Sequence, residues 1–244
     1  MKVVILIPVW KRRRVLEITL AGLQRIIDAQ PDTTEIIPLL IGSPGDEGLR
    51  DWVNRYPFAY CETQNQPLSN KLNFGMLHAR QIDPDFVLNM GSDDIICNGF
   101  FKKIVREMST GADLSGSIDI YFHDLIGQRT SYWMGYMDRK RKGEPIGTGR
   151  ALSKKYLDTC NWQPWPNGLK SSMDWHMLQN AKTKGAKITT FNCTREKILN
   201  LDLKSQEGMN EMPLGKKRTF SDIAHFLSKK EIQLINEYTP DSNS

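Results

Sequence analysis

Apolar and polar positions alternate between two rhythms along the first two-thirds of the chain. Val3 to Pro8 is a continuous apolar run of strand length, and Leu16, Leu20, Leu23 and Ile27 then recur at helical spacing. Glu35 to Ile41 predicts a second strand, closed by Gly42-Ser43-Pro44-Gly45, a strong turn signal. Leu49 to Arg55 predicts a short helix and Phe58 to Cys61 a third strand. Leu72, Gly75, Met76 and Ala79 form an i, i+3, i+4, i+7 stripe, and Phe86 to Met90 is a fourth apolar run. Asn98 is a candidate N-cap for a helix carrying Phe101, Ile104, Val105 and Met108 on one face. Strands that alternate with helices predict parallel β-α-β units with right-handed crossovers.

The last third is less regular. Leu114 to Phe122 alternates as one strand would, and Glu144 to Gly149 reads as a Gly-rich loop. Asn161 to Gly168 gathers Trp162, Trp165 and several turn formers. Ser171 opens a helix with Asp174, Met177, Leu178 and Ala181 on one stripe, and Lys187 to Cys193 is a late strand. Leu199 to Phe220 is polar, with Gly208, Pro213 and Gly215, and reads as a long lid-like loop. Ser228 and Glu231 make a capping box for a final helix through Tyr238, and Pro240 to Ser244 reads as a frayed tail.

Composition changes this picture little. With 244 residues, 39% hydrophobic and 25% charged, the chain is globular in type and long enough for one large core. No apolar run reaches the ~18 residues of a membrane helix, and the start lacks the pattern of a signal peptide. Cys61, Cys97, Cys160 and Cys193 have no paired spacing, so they read as reduced thiols of a cytoplasmic protein. The net charge of +5 is clustered at Lys11–Arg14, Arg139–Lys142 and Lys216–Arg218. Such runs are solvated loops or faces for a phosphate-rich or polyanionic partner.

The candidate chemistry lies at Gly91-Ser92-Asp93-Asp94, directly after the fourth apolar run. Adjacent carboxylates there either shape the turn or hold a hard divalent cation such as Mg²⁺ or Mn²⁺ at the ligand-binding edge of an α/β sheet. Asp174 shares the apolar stripe of its helix, so it either points inward or caps the helix as Ser171-x-x-Asp174. Arg12 and Lys71 are phosphate partners or solvated helix residues. Trp162, Trp165 and Trp175 are core residues or an apolar platform.

Five motifs in order give the region Val3 to Lys187 a resemblance to GT-A fold glycosyltransferases, closest in pattern to family 2. They are Pro8-Val9-Trp10-Lys11-Arg12; Asn65 with Lys71-Leu72-Asn73-Phe74-Gly75; Gly91-Ser92-Asp93-Asp94; Gly147-Thr148-Gly149-Arg150-Ala151-Leu152-Ser153; and Met173-Asp174-Trp175-His176-Met177-Leu178. The resemblance implies a single α/β, Rossmann-like domain with a mostly parallel sheet. It divides the chain into a core over 1–198, with a donor half to about 110 and an acceptor half after it, and a lid-like loop and helix over 199–244. It implies transfer of a hexosyl or pentosyl group from a nucleotide-diphosphate sugar to an acceptor hydroxyl, with inversion. The acceptor would be a glycan or a modified DNA base. Pro8, Trp10, Arg12, Ser43, Lys71, Asn73, Ser92 and Asp93 would serve the donor, and Arg150, Trp165 and Trp175 the acceptor. Asp174 would be the base, and Mn²⁺ or Mg²⁺ would be held by Asp93, Asp94 and a later histidine such as His176 or His225.

Two departures stand out. Gly91 occupies the first acidic position of the metal motif, and Ile41-Gly42-Ser43-Pro44 replaces the acidic turn that reads the nucleotide, with Asp46 slightly late to substitute. Two other classes fit less well. A nucleotidyltransferase would carry a Gly-rich loop where Pro8-Val9-Trp10-Lys11 stands, and a non-catalytic binding module is compatible with Gly91.

Overall fold

The apolar run after Met1 forms β1 (Lys2–Pro8), buried between β2 (Glu35–Gly42) and β4 (Phe86–Asn89) and parallel to both. A strand covered on both faces needs apolar residues at every position, which explains its unbroken Val-Val-Ile-Leu-Ile. The computed structural model describes residues 1–31, 33–205 and 215–239. Gly208, Pro213 and the Pro240–Ser244 tail lie outside the described residues.

The helices are α1 (Arg13–Asp28), α2 (Leu49–Val53), α3 (Leu68–Ile82), α4 (Asn98–Ser109), α5 (Lys154–Thr159), α6 (Met173–Thr183), α7 (Cys193–Glu196), α8 (Ser221–Ala224) and α9 (Lys229–Asn236). The other strands are β3 (Ala59–Glu62), β5 (Asp94–Ile96), β6 (Leu114–Ser117), β7 (Ile120–Asp124), β8 (Arg129–Trp133), β9 (Arg150–Ser153), β10 (Ile188–Phe191), β11 (Asn200–Lys204) and β12 (Lys216–Arg218). Seven strands form the central sheet in the order β10-β6-β9-β4-β1-β2-β3, mostly parallel, with β9 antiparallel to both neighbours. A second sheet runs β12-β8-β7-β11-β5. Successive β1 residues point to opposite faces: Val3, Ile5 and Ile7 pack with α1, α4 and β11, while Val4 and Leu6 pack with α3, α5 and α6. The expected α/β, GT-A-type architecture is therefore what the chain adopts.

Four local expectations change. The α4 N-cap is Cys97, whose Sγ accepts from the Phe100 N–H at 3.4 Å, and Asn98 Oδ1 instead accepts from Arg25 at 2.8 Å. Leu114 to Phe122 is two strands in two sheets. The chain crosses at Asp119, whose buried carboxylate takes Cys193 N–H at 2.6 Å and Tyr132 Oη–H at 2.9 Å. The apolar alternation continues across the break and conceals it. Helix α6 begins at Met173 with Ser172 in left-handed backbone and no side-chain cap, so the Ser171–Asp174 capping box does not form. Most consequentially, Asn200–Lys204 in the expected lid-like loop is β11, with Leu201 and Leu203 fully buried.

The Ser228–Glu231 capping box is present, and the helix it starts ends at Asn236. Glu231 is fully buried, and Arg25 of α1 bonds both its carboxylate oxygens, at 2.8 and 2.9 Å. All four cysteines are free thiols, and among the described residues no helix is long and apolar enough to cross a membrane. Removing one partner of a buried ion pair strands the other charge, typically at about 3–5 kcal/mol. Glu231→Ala is expected to lose about 3 kcal/mol in urea unfolding; a loss below about 1 kcal/mol would show that the pair does not fasten α9 to α1.

Candidate active site

The C-terminal edge of β4 builds the site. After Asn89 the chain turns through Met90 to Asp93, leaves the central sheet, and enters the second one as β5. There Asp94 stands directly opposite Asp202 of β11 in an antiparallel pair. The Leu203 N–H donates to the Asp93 carbonyl at 2.8 Å, locking the two segments together. Carboxylate oxygens of Asp93, Asp94 and Asp202 all lie within 4.8 Å of one another.

Gly91 makes this arrangement possible. Its N–H donates to the Asp94 carboxylate. A Cβ at 91 would stand 2.7 Å from Asp93 Oδ1 and 2.9 Å from Asp94 Oδ2. The Asp93 and Asp94 carboxylates thus fill the space that a side chain at position 91 would need, and Asp202 joins them from β11.

The electrostatics are strained. Burial, then the charges of Asp93 and Asp202, push the Asp94 carboxyl well above the usual range, against the Gly91 N–H and Lys204. Burial and Asp93 push Asp202 up to about 7, opposed by Lys204 and Arg12. Lys204 Nζ holds Asp202 Oδ2 at 2.7 Å, while Asp202 Oδ1 is buried with no hydrogen-bond partner. Like charges directly opposite across a strand pair are destabilising. Three oxygen ligands at such spacing suit a hard divalent cation, so these residues fit one.

The side of the edge expected to face a donor is built from the turns after β1, β2 and β3. Arg12 Nη1 donates to Asp93 Oδ2 at 2.9 Å, and Nη2 to Ser92 Oγ at 3.1 Å. This aim requires Lys11 and Arg12 in left-handed backbone, φ 56° and 50°, at about 1–3 kcal/mol each. Asp46 holds the turn there, accepting the Lys11 N–H at 2.7 Å and Arg13 at 2.9 Å. Pro8 ends β1, and Trp10 lies half-buried over Gly45. Buried Ser43 accepts from Lys71, whose ammonium is enclosed. The Asn73 amide brackets Trp165, accepting its N–H at 3.3 Å and donating to its carbonyl at 2.8 Å.

The segment Gly147–Gly149 joins the carboxylate cluster to Asp174. Thr148 Oγ1 donates to Asp94 Oδ1 at 3.4 Å. The Asp174 carboxylate lies over Gly147, where a Cβ would meet it at 2.3 Å. Arg150 is fully buried, and its guanidinium donates to the Asp174 carbonyl at 2.9 Å and the Ile146 carbonyl at 3.2 Å. Trp165 is buried, whereas Trp175 is exposed and packs edge-on against His176. Among the described residues neither His176 nor His225 belongs to the carboxylate cluster; Asp202 stands there instead. Asp202 and Lys204 were hidden in the polar stretch, and the signal for them is the alternation Asn-Leu-Asp-Leu-Lys.

No protein-family profile matches the chain, and no curated protein matches its sequence. Solved structures do match its fold. Staphylococcus aureus TarS 1–349 in complex with UDP-GlcNAc aligns with TM-score 0.61 and 16% identity over 85% of this chain and 60% of that one. Mannosyltransferase PcManGT from Pyrobaculum calidifontis, in complex with GDP-Man and Mn²⁺, aligns with TM-score 0.58 and 11% identity over 84% and 58%. CMP:2-keto-3-deoxy-manno-octonic acid synthetase complexed with CTP gives TM-score 0.51 and 14% identity over 79% and 90%. The chain thus has the nucleotide-diphospho-sugar transferase, or GT-A, fold, and spans about 60% of the TarS fragment.

A carboxyl whose pKa is raised on folding binds more protons when native. Its contribution to stability is complete below its unfolded value near 4 and is lost as pH rises through about 7 for Asp202. His123, pushed down to about 4 by burial, acts in the opposite sense, so the difference between wild type and Asp202→Asn isolates the carboxyl. With chelator present, Asp202→Asn is expected to gain melting temperature over wild type between pH 5 and 8. Added Mn²⁺ should close that gap by stabilising only wild type. A pH-independent difference would exclude strain at Asp202.

Proposed function

We propose that this chain is a metal-dependent glycosyltransferase that moves a sugar from a nucleotide-diphosphate sugar to an acceptor hydroxyl. The observation that carries this reading is the cluster of Asp93, Asp94 and Asp202, tied through Thr148 to a segment that ends under Asp174. With all three carboxylates ionised, Arg12 and Lys204 would leave one net negative charge, which a divalent ion would turn positive towards a diphosphate. Asp93, Asp94 and Asp202 would hold Mn²⁺ or Mg²⁺, which would neutralise the charge that builds on the departing diphosphate. Arg12 and Ser92 flank the same edge and orient the donor.

Asp174 is the base in this reading. It takes the proton of the acceptor hydroxyl, whose oxygen then bonds to the anomeric carbon as the bond to the diphosphate breaks. Thr148 touches the cluster and its neighbour Gly147 lies under Asp174; in this reading the acceptor hydroxyl attacks from the face opposite the leaving group, with inversion. Arg150 supports this geometry from below by gripping the Asp174 main chain. The exposed indole of Trp175 is the acceptor-side surface beside it.

We read the acceptor as a glycan. Within the basic clusters, Arg12, Arg13 and Arg141 are committed to Asp93, Asp46 and Glu144, which weakens the case for a DNA duplex. Salt-sensitive retention on duplex DNA would reverse that choice. Nucleotidyl transfer is the second reading, favoured by the likeness to the CTP-bound synthetase. Release of pyrophosphate from a nucleoside triphosphate would support it, and release of nucleoside diphosphate from a sugar nucleotide supports ours.

A thermal-shift panel of sugar nucleotides, with and without Mn²⁺, tests donor binding by mass action. Asp93→Ala is expected to abolish the metal-dependent shift, and an unchanged shift would remove Asp93 from the site. Asp174→Asn is expected to keep the donor shift and lower turnover by about 10²–10⁴-fold. Normal turnover would exclude it as the base. No metal-stimulated nucleoside diphosphate release from any common sugar nucleotide would leave a binding module.

A further inference from the structure

Lys71 on α3 is the one lysine among the described residues whose side chain is almost completely enclosed, at 1% exposure. An ammonium has three hydrogens to donate and no acceptor capacity. All three are used: Nζ lies 2.6 Å from the Val9 carbonyl, 2.7 Å from Ser43 Oγ and 3.0 Å from Asn65 Oδ1. These acceptors belong to three different connections, those after β1, β2 and β3. Each leaves the C-terminal edge of a neighbouring parallel strand, where ligands of open α/β sheets bind. Among the described residues no carboxylate lies within ion-pair distance of this ammonium.

We infer that Lys71 is a positioning residue, a protonated clamp that holds the three donor-side turns in one arrangement and acts on the donor through them. The clamp rests on the reading of this edge as a sugar-nucleotide site. Its direct beneficiary is the turn that aims Arg12. Val9 precedes the two left-handed residues Lys11 and Arg12, so fixing its carbonyl fixes the start of that strained turn. Asp46 secures the other end of the turn. Ser43, which replaces an acidic nucleotide-reading turn, is held from the same point.

The clamp requires the charged form. A neutral amine offers two hydrogens and a lone pair, so at least one of three inward-facing oxygens would lose its partner. Burial lowers the Lys71 pKa to about 8, against the charge of Asp46 and the nearby Cys61 thiol. Burial raises Cys61 itself to about 12, so it stays neutral there and Asp46 is the charged group facing the ammonium. The folded pKa lies below the ordinary 10.5, so the clamp is intact below about pH 8 and is released as pH rises through it.

Amide hydrogen exchange on full-length wild type and Lys71→Met tests the clamp without reference to activity. Faster exchange on the order of tenfold is expected in residues 9–13, 43–46 and 63–66, with the β1 and α1 interiors unchanged. In parallel, UDP-sugar and GDP-sugar affinity is measured from pH 6.5 to 9.5 with Mn²⁺. Wild-type Kd should weaken above about pH 8, whereas Lys71→Met should be weaker by about tenfold below that pH and lack the weakening above it. The variant's loss should fall on KM more than on kcat. Asn65→Ala removes one acceptor and serves should Lys71→Met fail to fold; it should loosen the same three turns to a smaller degree. Unchanged exchange in those turns, or parallel pH curves for wild type and variant, would overturn the clamp. Binding of no sugar nucleotide by wild type would count against the donor reading, while the exchange data would still decide the clamp.

Discussion

Everything at the ligand edge depends on the confrontation of Asp94 and Asp202 across β5 and β11. Two carboxylates in register, with Asp93 beside them, repel one another, and removal from water adds several kcal/mol of effective penalty per ion. The strand pair forms nonetheless because its opposite face is apolar: Ile95, Leu201 and Leu203 enter the main core almost completely buried. At about 1.5–3 kcal/mol for each such side chain, burial on one face is of the size needed to hold like charges on the other. Alternation along a strand permits this division of labour, since consecutive residues face opposite ways.

The same logic extends around the rim. Arg12 reaches Asp93 from a turn of two left-handed residues, a conformation that persists only where its surroundings enforce it. Asp46 and Lys71 enforce it from either end with charges that point into the protein. Arg150 does the equivalent on the other side, spending its guanidinium on main-chain carbonyls around Asp174. A buried charge held by neutral oxygens alone is costly, and Lys71 and Arg150 both spend theirs on the loops of the proposed ligand edge. The site is in this sense built before its ligand arrives.

The sequence made the donor half legible and hid much of the rest for identifiable reasons. Central parallel strands are covered on both faces, so β1, β2 and β4 appear as plain apolar runs. The second sheet has short strands with one polar face: β11 reads as Asn-Leu-Asp-Leu-Lys and β5 spans three residues, patterns that a polar loop also satisfies. The β6–β7 break was invisible because alternation does not register a change of sheet. The functional consequence was specific. Asp93, Asp94 and Asp174 stood out beside recognisable strand ends and helix starts, whereas Asp202 could be joined to them only once β11 was paired with β5. A histidine was the expected third ligand because the polar stretch concealed an aspartate.

That exchange changes the chemistry of the site. An imidazole in the third position would be neutral and would tolerate an empty site. A third carboxylate cannot: it makes the site self-repelling, lifts Asp202 into the neutral pH range, and would couple the proposed cation binding to proton release. It would also make the proposed donor set all-oxygen, which favours hard cations over softer ones. Gly91 belongs to the same exchange, since a side chain there would collide with both Asp93 and Asp94. The glycine that looks like a lost ligand in the sequence is the space in which two neighbouring carboxylates turn towards a third.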